Sequence, residues 1–454
     1  MTGATIPFEH AGSIDLQELT LINGSLNTID IADYMVEINL MEDIFSPTMH
    51  GTILISDSRN LIKEFNIIGE EYIFLKFKTP TSDDEIEKLF RVYSVTNRVL
   101  VNDKATQSYV LNFISVEAIQ NELNPLFQTF NGKISDIVAN IFKSFLRTKR
   151  SPVKKDSKLT FVDNGSEFFV LPTENSAKFV SPGWTPFKCI NWCASKAIPE
   201  SGKACNYLFF ETNKAFMFIS LESLFTRNNN ETSAGTYVYN INNFNVNKNQ
   251  NIKQFSINDL KIIKNFNQLE NYNQGYYGNR LISLNIKNKS VNLTDYNTLL
   301  KYKDYVHTNQ DLTAPFFADN TPFTTLSNIK FNPIHPGLHG TLPQNSSDFT
   351  KGFEPYQDNV NERMPEIHGN RITNLMELNQ LKLEMFIPGR SDIEVGRMLK
   401  LLYPDVSPRD ASNKTDENID RRYSGSYLIT AINHKINSQS HMMSMEIVKD
   451  GMLG

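Results

Sequence analysis

Carboxylates, histidines and cysteines are the residues here that could do chemistry, and their spacing decides against most of it. Carboxylates are paired at Glu42-Asp43, Glu70-Glu71 and Asp83-Asp84. A hydrolase needs two carboxyl groups at a set separation in space, one of them with a raised pKa. Adjacency in sequence establishes neither, so these pairs read as solvated loop or rim charges. His335 and His339 have the spacing of a metal pair on a helix, but Pro336 and Gly337 lie between them. No glutamate follows either in the zincin pattern, and a zinc site needs three or four ordered ligands. They read as loop histidines, and His434 as a structural residue in a strand. Cys189 and Cys193 lie one helical turn apart with Cys205 downstream, and no fourth ligand is evident. These read as semi-buried thiols. No nucleophile elbow and no phosphate loop occurs. The basic run Arg147, Lys149, Arg150, Lys154, Lys155 could touch phosphates or an acidic partner. Phosphate binding uses a broader basic surface, so the run reads as a solvated loop. The expected catalytic, cofactor-binding and metal residues are therefore none.

The bulk numbers agree with a protein that builds rather than transforms. The chain has 454 residues, whereas single cores stop growing near ~250–300 residues. Length alone gives about three domains as a soft prior. Apolar residues make up 40%, and 31 Phe and 17 Tyr against 2 Trp favour strands. A net charge of -5 advertises no nucleic-acid binding. Three cysteines make no disulfide framework, so a reducing compartment is expected. The first residues, Met1-Thr2-Gly3-Ala4-Thr5, lack the basic and apolar parts of a secretory signal. No run of ~18 apolar residues crosses a membrane.

Period-two patterning dominates both ends. Leu19, Leu21, Ile29 and Ile31 alternate with polar residues, as do Val36, Ile38 and Leu40. Gly, Pro and Asp punctuate the runs, which is the pattern of antiparallel sheet. Leu61 to Phe65 fits one helical turn. Near residue 130 the period changes to helical through Ile134, Ile137, Val138, Ile141, Phe142 and Phe145. A second helix is expected to start at Thr185-Pro186, with Thr185 capping it and Pro186 in the first turn. A hairpin follows, Tyr207 to Phe210 and Ala215 to Leu221. Sheet texture resumes near Ile252 and continues to Ile286. From 298 to 363 the prolines Pro315, Pro322, Pro333, Pro336, Pro343 and Pro355 rule out long helices and central strands. That stretch reads as an extended arm gripping a neighbour, or as an insertion. Helical spacing returns from Asn361 to Leu378, then Leu381, Leu383, Met385 and Ile387 alternate up to the turn at Pro388-Gly389. The apolar set is expected to fill the core and Lys382, Glu384 and Lys400 to face outward.

The two ends repeat each other. Gly69 precedes the strand Tyr72 to Phe77, Pro80, an acidic loop, a strand through Asn97-Arg98 and a strand Tyr109 to Phe113. Gly396 precedes Met398 to Tyr403, Pro404, a polar loop, a strand ending Asn433-His434 and a strand Met442 to Val448. The expected fold class is mainly β with an α+β insert: two antiparallel β-barrel domains plus a small α+β domain. The expected divisions are 1–119, 120–228, 229–297 with 365–454, and the stretch 298–364. One unit used twice per chain makes a ring with twice as many units as chains.

At this point the sequence resembles a known family. The phrases Leu381 to Arg390 and Ile393 to Leu401 resemble the tail-tube-like barrels of contractile tails. Glu42 to Pro47, Gly51-Thr52-Ile53, Asp57-Ser58 and Ile68 to Glu71 are similar to baseplate hub proteins of contractile-tailed, T-even-like phages. The resemblance spans about residues 14–290 and 365–452, and the proline-rich 298–363 departs from it. It implies a non-enzymatic hub, a homotrimer whose six barrels form a pseudo-six-fold ring. Its implied partners are a spike protein below, a tail tube or tube-initiator protein above, wedge proteins around it, and tape-measure protein in the channel. DNA passes through without specific binding, and no membrane or cofactor is involved. The implied location is the virion tail baseplate, assembled in the host cytoplasm. The alternatives are the hub of another contractile injection system, where hub and spike are often fused, and a tail-associated peptidoglycan hydrolase acting through residues 120–225. The absence of a barrel or β-helical repeat before Gly454 favours a separate spike.

Overall fold

The structure, a computed structural model, describes residues 12–80, 82–101, 106–147, 151–155, 158–162, 167–201, 204–227, 234–239, 255–274, 276–285, 290–309, 311–312, 328–332, 364–405 and 419–452. The first part supplies strands β1 (Asp15–Ile22), β2 (Thr28–Asp30), β3 (Met35–Asp43), β4 (His50–Asp57), β5 (Tyr72–Lys78), β6 (Glu85–Val101) and β7 (Thr106–Ser115). Alternation decides which residues point inward. In β5, Ile73, Leu75 and Phe77 are fully buried, and in β7, Tyr109, Leu111 and Phe113. They share one core with Leu19, Leu21, Ile38, Leu40, Ile53 and Phe90. The single helical turn expected near residue 61 forms at Leu61–Glu64.

Helix α1 (Val116–Leu123), helix α2 (Ile134–Ile141) and helix α3 (Pro186–Ala194) follow, with strands β8 (Tyr207–Glu211) and β9 (Phe216–Ser220) paired as the expected hairpin. Ile137, Val138, Ile141 and Phe142 pack with Ile190, Cys193, Phe209 and Phe218 in a second core. Two expectations are corrected here. Thr185 holds the capping position of α3, but its side chain makes no capping bond. Pro186 has no amide hydrogen, and the next amide, Phe187 N–H, donates to Asn121 Oδ1 of α1 at 2.7 Å. A tertiary contact has replaced the local one. Cys189 and Cys193 are fully buried rather than semi-buried, because the helix stripe they occupy faces this core. Burial raises both thiol pKa values, which makes them poor nucleophiles.

The last part supplies β10 (Thr236–Tyr239), β11 (Ser256–Ile257), β12 (Asp259–Lys264), helix α4 (Met364–Leu378), β13 (Leu381–Pro388), β14 (Met398–Leu402), β15 (Gly425–Ile436) and β16 (His441–Lys449). Leu383, Met385, Leu399 and Leu401 are buried in a third core, as expected. The alternate positions of β13 lie outside it. Lys382 pairs with Glu446 at 2.9 Å, Glu384 accepts from Ser444 Oγ at 2.7 Å, and Lys400 is exposed.

Strand order makes the repeat visible. In the first part it is β3-β4-β7-β6-β5-β1-β2, and in the last β12-β13-β16-β15-β14-β10-β11. The first five strands of each series pair antiparallel throughout. The series diverge at the sixth, where β1 runs antiparallel to β5 and β10 runs parallel to β14. Finer details recur. Val92 N–H donates to Glu71 O at 2.8 Å, and Ile429 N–H to Arg397 O at 2.9 Å, each just before the strand that starts at Tyr72 or Met398. The ladder then slips by one residue at Val92/Ser94 and at Ile429/Ala431. Gly69 and Gly396 both have positive φ, +97° and +80°, which favours glycine ahead of each of these strands. The mainly β class with an α+β insert is as expected, and β3 pairs with β15, which joins the two series into one sheet. In the last series β11 and β12 are separated by Asn258 alone, whose N–H donates to Phe386 O of β13 at 2.8 Å, so one continuous run links β10 to β13.

Candidate functional site: the seam between the repeats

The seam exists because β15 is longer than its partner. β14 covers only Gly425 to Leu428, and the rest of that edge would leave amide and carbonyl groups unpaired. β3 fills it, from Ala431 opposite Asp43 to Ile436 opposite Ile38. Beyond the ladder, Ile44 N–H donates to Thr430 O at 2.9 Å. Ile38 and Ile436 are 0% exposed and sit in the core of the first repeat. A residue from the end of the chain thus completes a core built by its beginning.

A buried polar chain crosses the seam. Glu42 is buried on β3 and His434 on β15, with His434 Nε2 3.3 Å from Glu42 Oε1. His434 Nδ1 lies 3.0 Å from Nε2 of the buried His441. Burial, then the neighbouring His434, holds the His441 pKa well below the usual histidine range, so its ring is neutral. The network assigns the protons: His441 Nε2–H donates to His434 Nδ1, and His434 Nε2–H donates to Glu42. The second Glu42 oxygen accepts Val395 N–H at 3.4 Å. The edge of Phe77 packs on His441 at 5.5 Å. His434 lies buried within β15, the strand in which the sequence places it.

The paired carboxylates are corrected in part. Glu42 and Asp43 are not both solvated, because neighbours on a strand point to opposite faces. Asp43 turns outward and accepts Phe45 N–H at 2.8 Å. Glu71 is also buried, its carboxylate accepting Ile68 N–H at 2.6 Å and Gly69 N–H at 3.0 Å, while Glu70 is exposed. It ties the loop that opens the repeated strand. Asp83 is exposed and Asp84 pairs with Lys214 at 3.0 Å, as rim charges do. His335, His339, Lys149 and Arg150 lie outside the described residues, while Lys154 and Lys155 fall in a short strand, Ser151–Lys155.

Two clusters escaped sequence reading. Glu211 on β8 is buried and accepts Met49 N–H at 2.9 Å, Ser115 Oγ–H, and Lys88 Nζ at 3.0 Å. It docks the α+β part on the first repeat. The other cluster holds the described start of the proline-rich stretch against the second repeat. His307 Nδ1 is 2.9 Å from Asp450 Oδ2, and Nε2 is 2.8 Å from Tyr302 O. Thr308 N–H donates to Asp450 Oδ1 at 2.7 Å, and Asn309 bridges Ser426 and Gly451. These described residues bind their own chain through Asp450, Ser426 and Gly451. Ligand atoms of His307, Glu377 and Asp450 lie within 4.8 Å of one another. Both ring nitrogens of His307 are already bonded, and a protonated imidazole is no metal ligand. The cluster is an ion pair.

Burial opposes charge on His307, but Asp450 and then Glu377 outweigh it and raise its pKa to about 9. Burial, eased by His307, raises Glu377 to about 8. Both groups hold protons more tightly folded than unfolded. The His307 contribution is complete below its unfolded pKa of about 6.5 and is lost as pH rises through about 9. The cost of leaving Glu377 buried grows from about pH 4.5, its ordinary value, up to about 8. Thermal midpoints are therefore expected to fall between pH 6.5 and 9.5, and His307→Gln to flatten that slope. Midpoints equal across this range in both proteins would contradict it.

No family model matches the chain, and no curated protein is similar to it in sequence. Solved structures are similar to it in fold. The tail protein from Neisseria meningitidis MC58 aligns with a TM-score of 0.50 and 6% identity, covering 96% of this chain and 97% of that one. The 43 kDa tail protein of prophage MuSo2 from Shewanella oneidensis aligns at 0.48 and 9%, over 96% and 99%. The E. coli c3393 protein, a component of the type VI secretion system with structural similarity to T4 bacteriophage tail proteins gp27 and gp5, aligns at 0.40 and 7%, over 96% and 76%. At 6% identity the first of these shows fold alone: over nearly its whole length this chain has the mainly β fold of a tail protein, the class its sequence resembles.

Proposed function

We propose that the chain is a structural hub subunit of a phage tail baseplate. Three copies form a pseudo-six-fold ring that joins a six-fold tail tube above to a three-fold spike below. The ring leaves a channel for tape-measure protein and then DNA, and wedge proteins surround it. Residues 1–119 form one tube-like unit, 229–297 with 365–454 the other, 120–228 the α+β insert, and 298–364 a proline-rich extended insertion or arm. The role is non-enzymatic, in the virion tail, after assembly in the host cytoplasm.

The observation that carries this reading is the edge-to-edge pairing of β15 with β3. It sets two sheets of the same strand order side by side in one chain. A contact between unlike edges of two similar units is head-to-tail, and repeating it builds a ring or a filament rather than a two-fold dimer. The fold shared with a tail protein supports the same class of role. The test is the mass of the purified chain by sedimentation equilibrium. Three chain masses at micromolar concentration are expected; a single chain mass at every concentration would overturn the reading.

A further inference from the structure

The seam has a partner surface that the described residues leave open. We infer that the outer half of β6 pairs antiparallel with β12 of a second copy, setting Leu100 opposite the second copy's Leu260. This rests on the ring reading and names the contact that closes it.

Each repeat has the edge the other uses. On β15 the edge not covered by β14, from Ala431 to Ile436, pairs with β3. The equivalent strand of the first repeat is β6. Its pairing with β5 ends at Arg91, the Gly69 loop lies against Tyr93 and Ser94, and among the described residues no strand pairs with that edge from Val95 to Val101. The equivalent of β3 is β12, which pairs with β13 on one side and with no described strand on the other. Among the described residues one free edge of each kind therefore remains, and the two kinds already join once within the chain.

The register follows from shared landmarks. The slip at Val92/Ser94 matches the slip at Ile429/Ala431, so Ser94 to Thr96 correspond to Ala431 to Asn433. β6 then gains one residue relative to β15, between Thr96 and Val99, where Asn97 has a φ of +53°. β12 gains one relative to β3, between Ile262 and Lys264. Because β6 and β12 run antiparallel in the inferred pair, the two extra residues fall at the same level and cancel. Leu100 then corresponds to Ile436, and Leu260 to Ile38. Those two isoleucines face each other across the seam and are 0% exposed, whereas Leu100 is 77% exposed. Ile262, Ile263 and Val99 are exposed alongside. A long apolar edge of this kind is a template for another strand. The occupant that fits is a second copy of this chain, because it carries the complementary edge in the register the seam already uses.

The test is a cross-link in the full chain carrying Leu100→Cys and Leu260→Cys. Facing residues on paired strands lie ~4.5–5.5 Å apart, within disulfide reach. After sedimentation has given the oligomeric state, a thiol oxidant is added and the protein is run on a denaturing, non-reducing gel. More than half of the chains are expected in linked species up to a covalent trimer. Each single variant and the parent should run as single chains, because Cys189, Cys193 and Cys205 are buried. A second pair at exposed positions, Val99→Cys with Lys261→Cys, keeps the test intact should the first fail to fold. Three-chain assemblies in which neither pair links more than the single variants would overturn this pairing and leave the ring standing. A chain that stays single throughout would overturn both.

Discussion

Glu211→Ala is expected to lower stability by about 3–5 kcal/mol, the usual cost of removing one partner of a buried ion pair. The carboxylate is buried against β7 and β4, where it accepts Met49 N–H, Ser115 Oγ–H and Lys88 Nζ. Burial opposes charge on Lys88, yet the nearby Glu211 outweighs it and raises the Lys88 pKa, so the ammonium stays charged beside it. Alanine leaves that ammonium and the Met49 amide facing each other without an acceptor. The measurement is simple, because the two tryptophans, Trp184 and Trp192, pack together in the α+β part. Their fluorescence against urea reports the part that Glu211 docks. The midpoint should fall sharply for Glu211→Ala and recover in part for Glu211→Ala with Lys88→Met, since the second change removes the stranded charge. A midpoint within error of the parent would show that the docking contact contributes nothing.

The second large effect concerns the seam. His434→Ala is expected to cost about 3 kcal/mol, from a stranded buried carboxylate together with the cavity left by the ring. Glu42 would keep only the Val395 amide, 3.4 Å away, as a donor. His441 would lose the partner of its Nε2–H. The damage should be local to the join. Hydrogen exchange is expected to quicken in the amides of Ile38 to Asp43 and Ala431 to Ile436, while those of β4 and β7 stay protected. His434→Gln, which can still donate to Glu42, should restore part of the protection. Uniform exchange across all these strands would contradict a seam held by this chain of side chains.

Much of this architecture was legible in the sequence because strands advertise themselves by alternation. Leu381, Leu383, Met385 and Ile387 could hardly pack otherwise, and they are buried. The repeat was readable from Gly69 and Gly396, since both positions need a left-handed backbone. Pairing was harder. Nothing in Ala431 to Ile436 says that the strand Ile38 to Asp43 will cover it, because a ladder bond uses backbone groups that every residue carries. Hence the join of the two series into one sheet was not readable in advance. Thr185 failed as a cap because Asn121, 66 residues away in sequence, reached the amide first. Glu42 looked like a rim charge beside Asp43, and only the strand's facing separates them. Glu211, and the ion pair of His307 with Asp450, join residues 96 to 162 positions apart or 143 positions apart. No local pattern records such meetings, although a lone glutamate inside the otherwise apolar run Tyr207–Glu211 was a signal that could have been read.

The account depends on two like sheets standing as neighbours in a closed annulus. Class averages of the purified chain by electron microscopy, viewed down the particle axis, test this most directly. The account predicts three-fold particles whose inner wall shows six similar lobes around an open centre. Particles with three well-separated lobes, a two-fold dimer, or no central opening would contradict it.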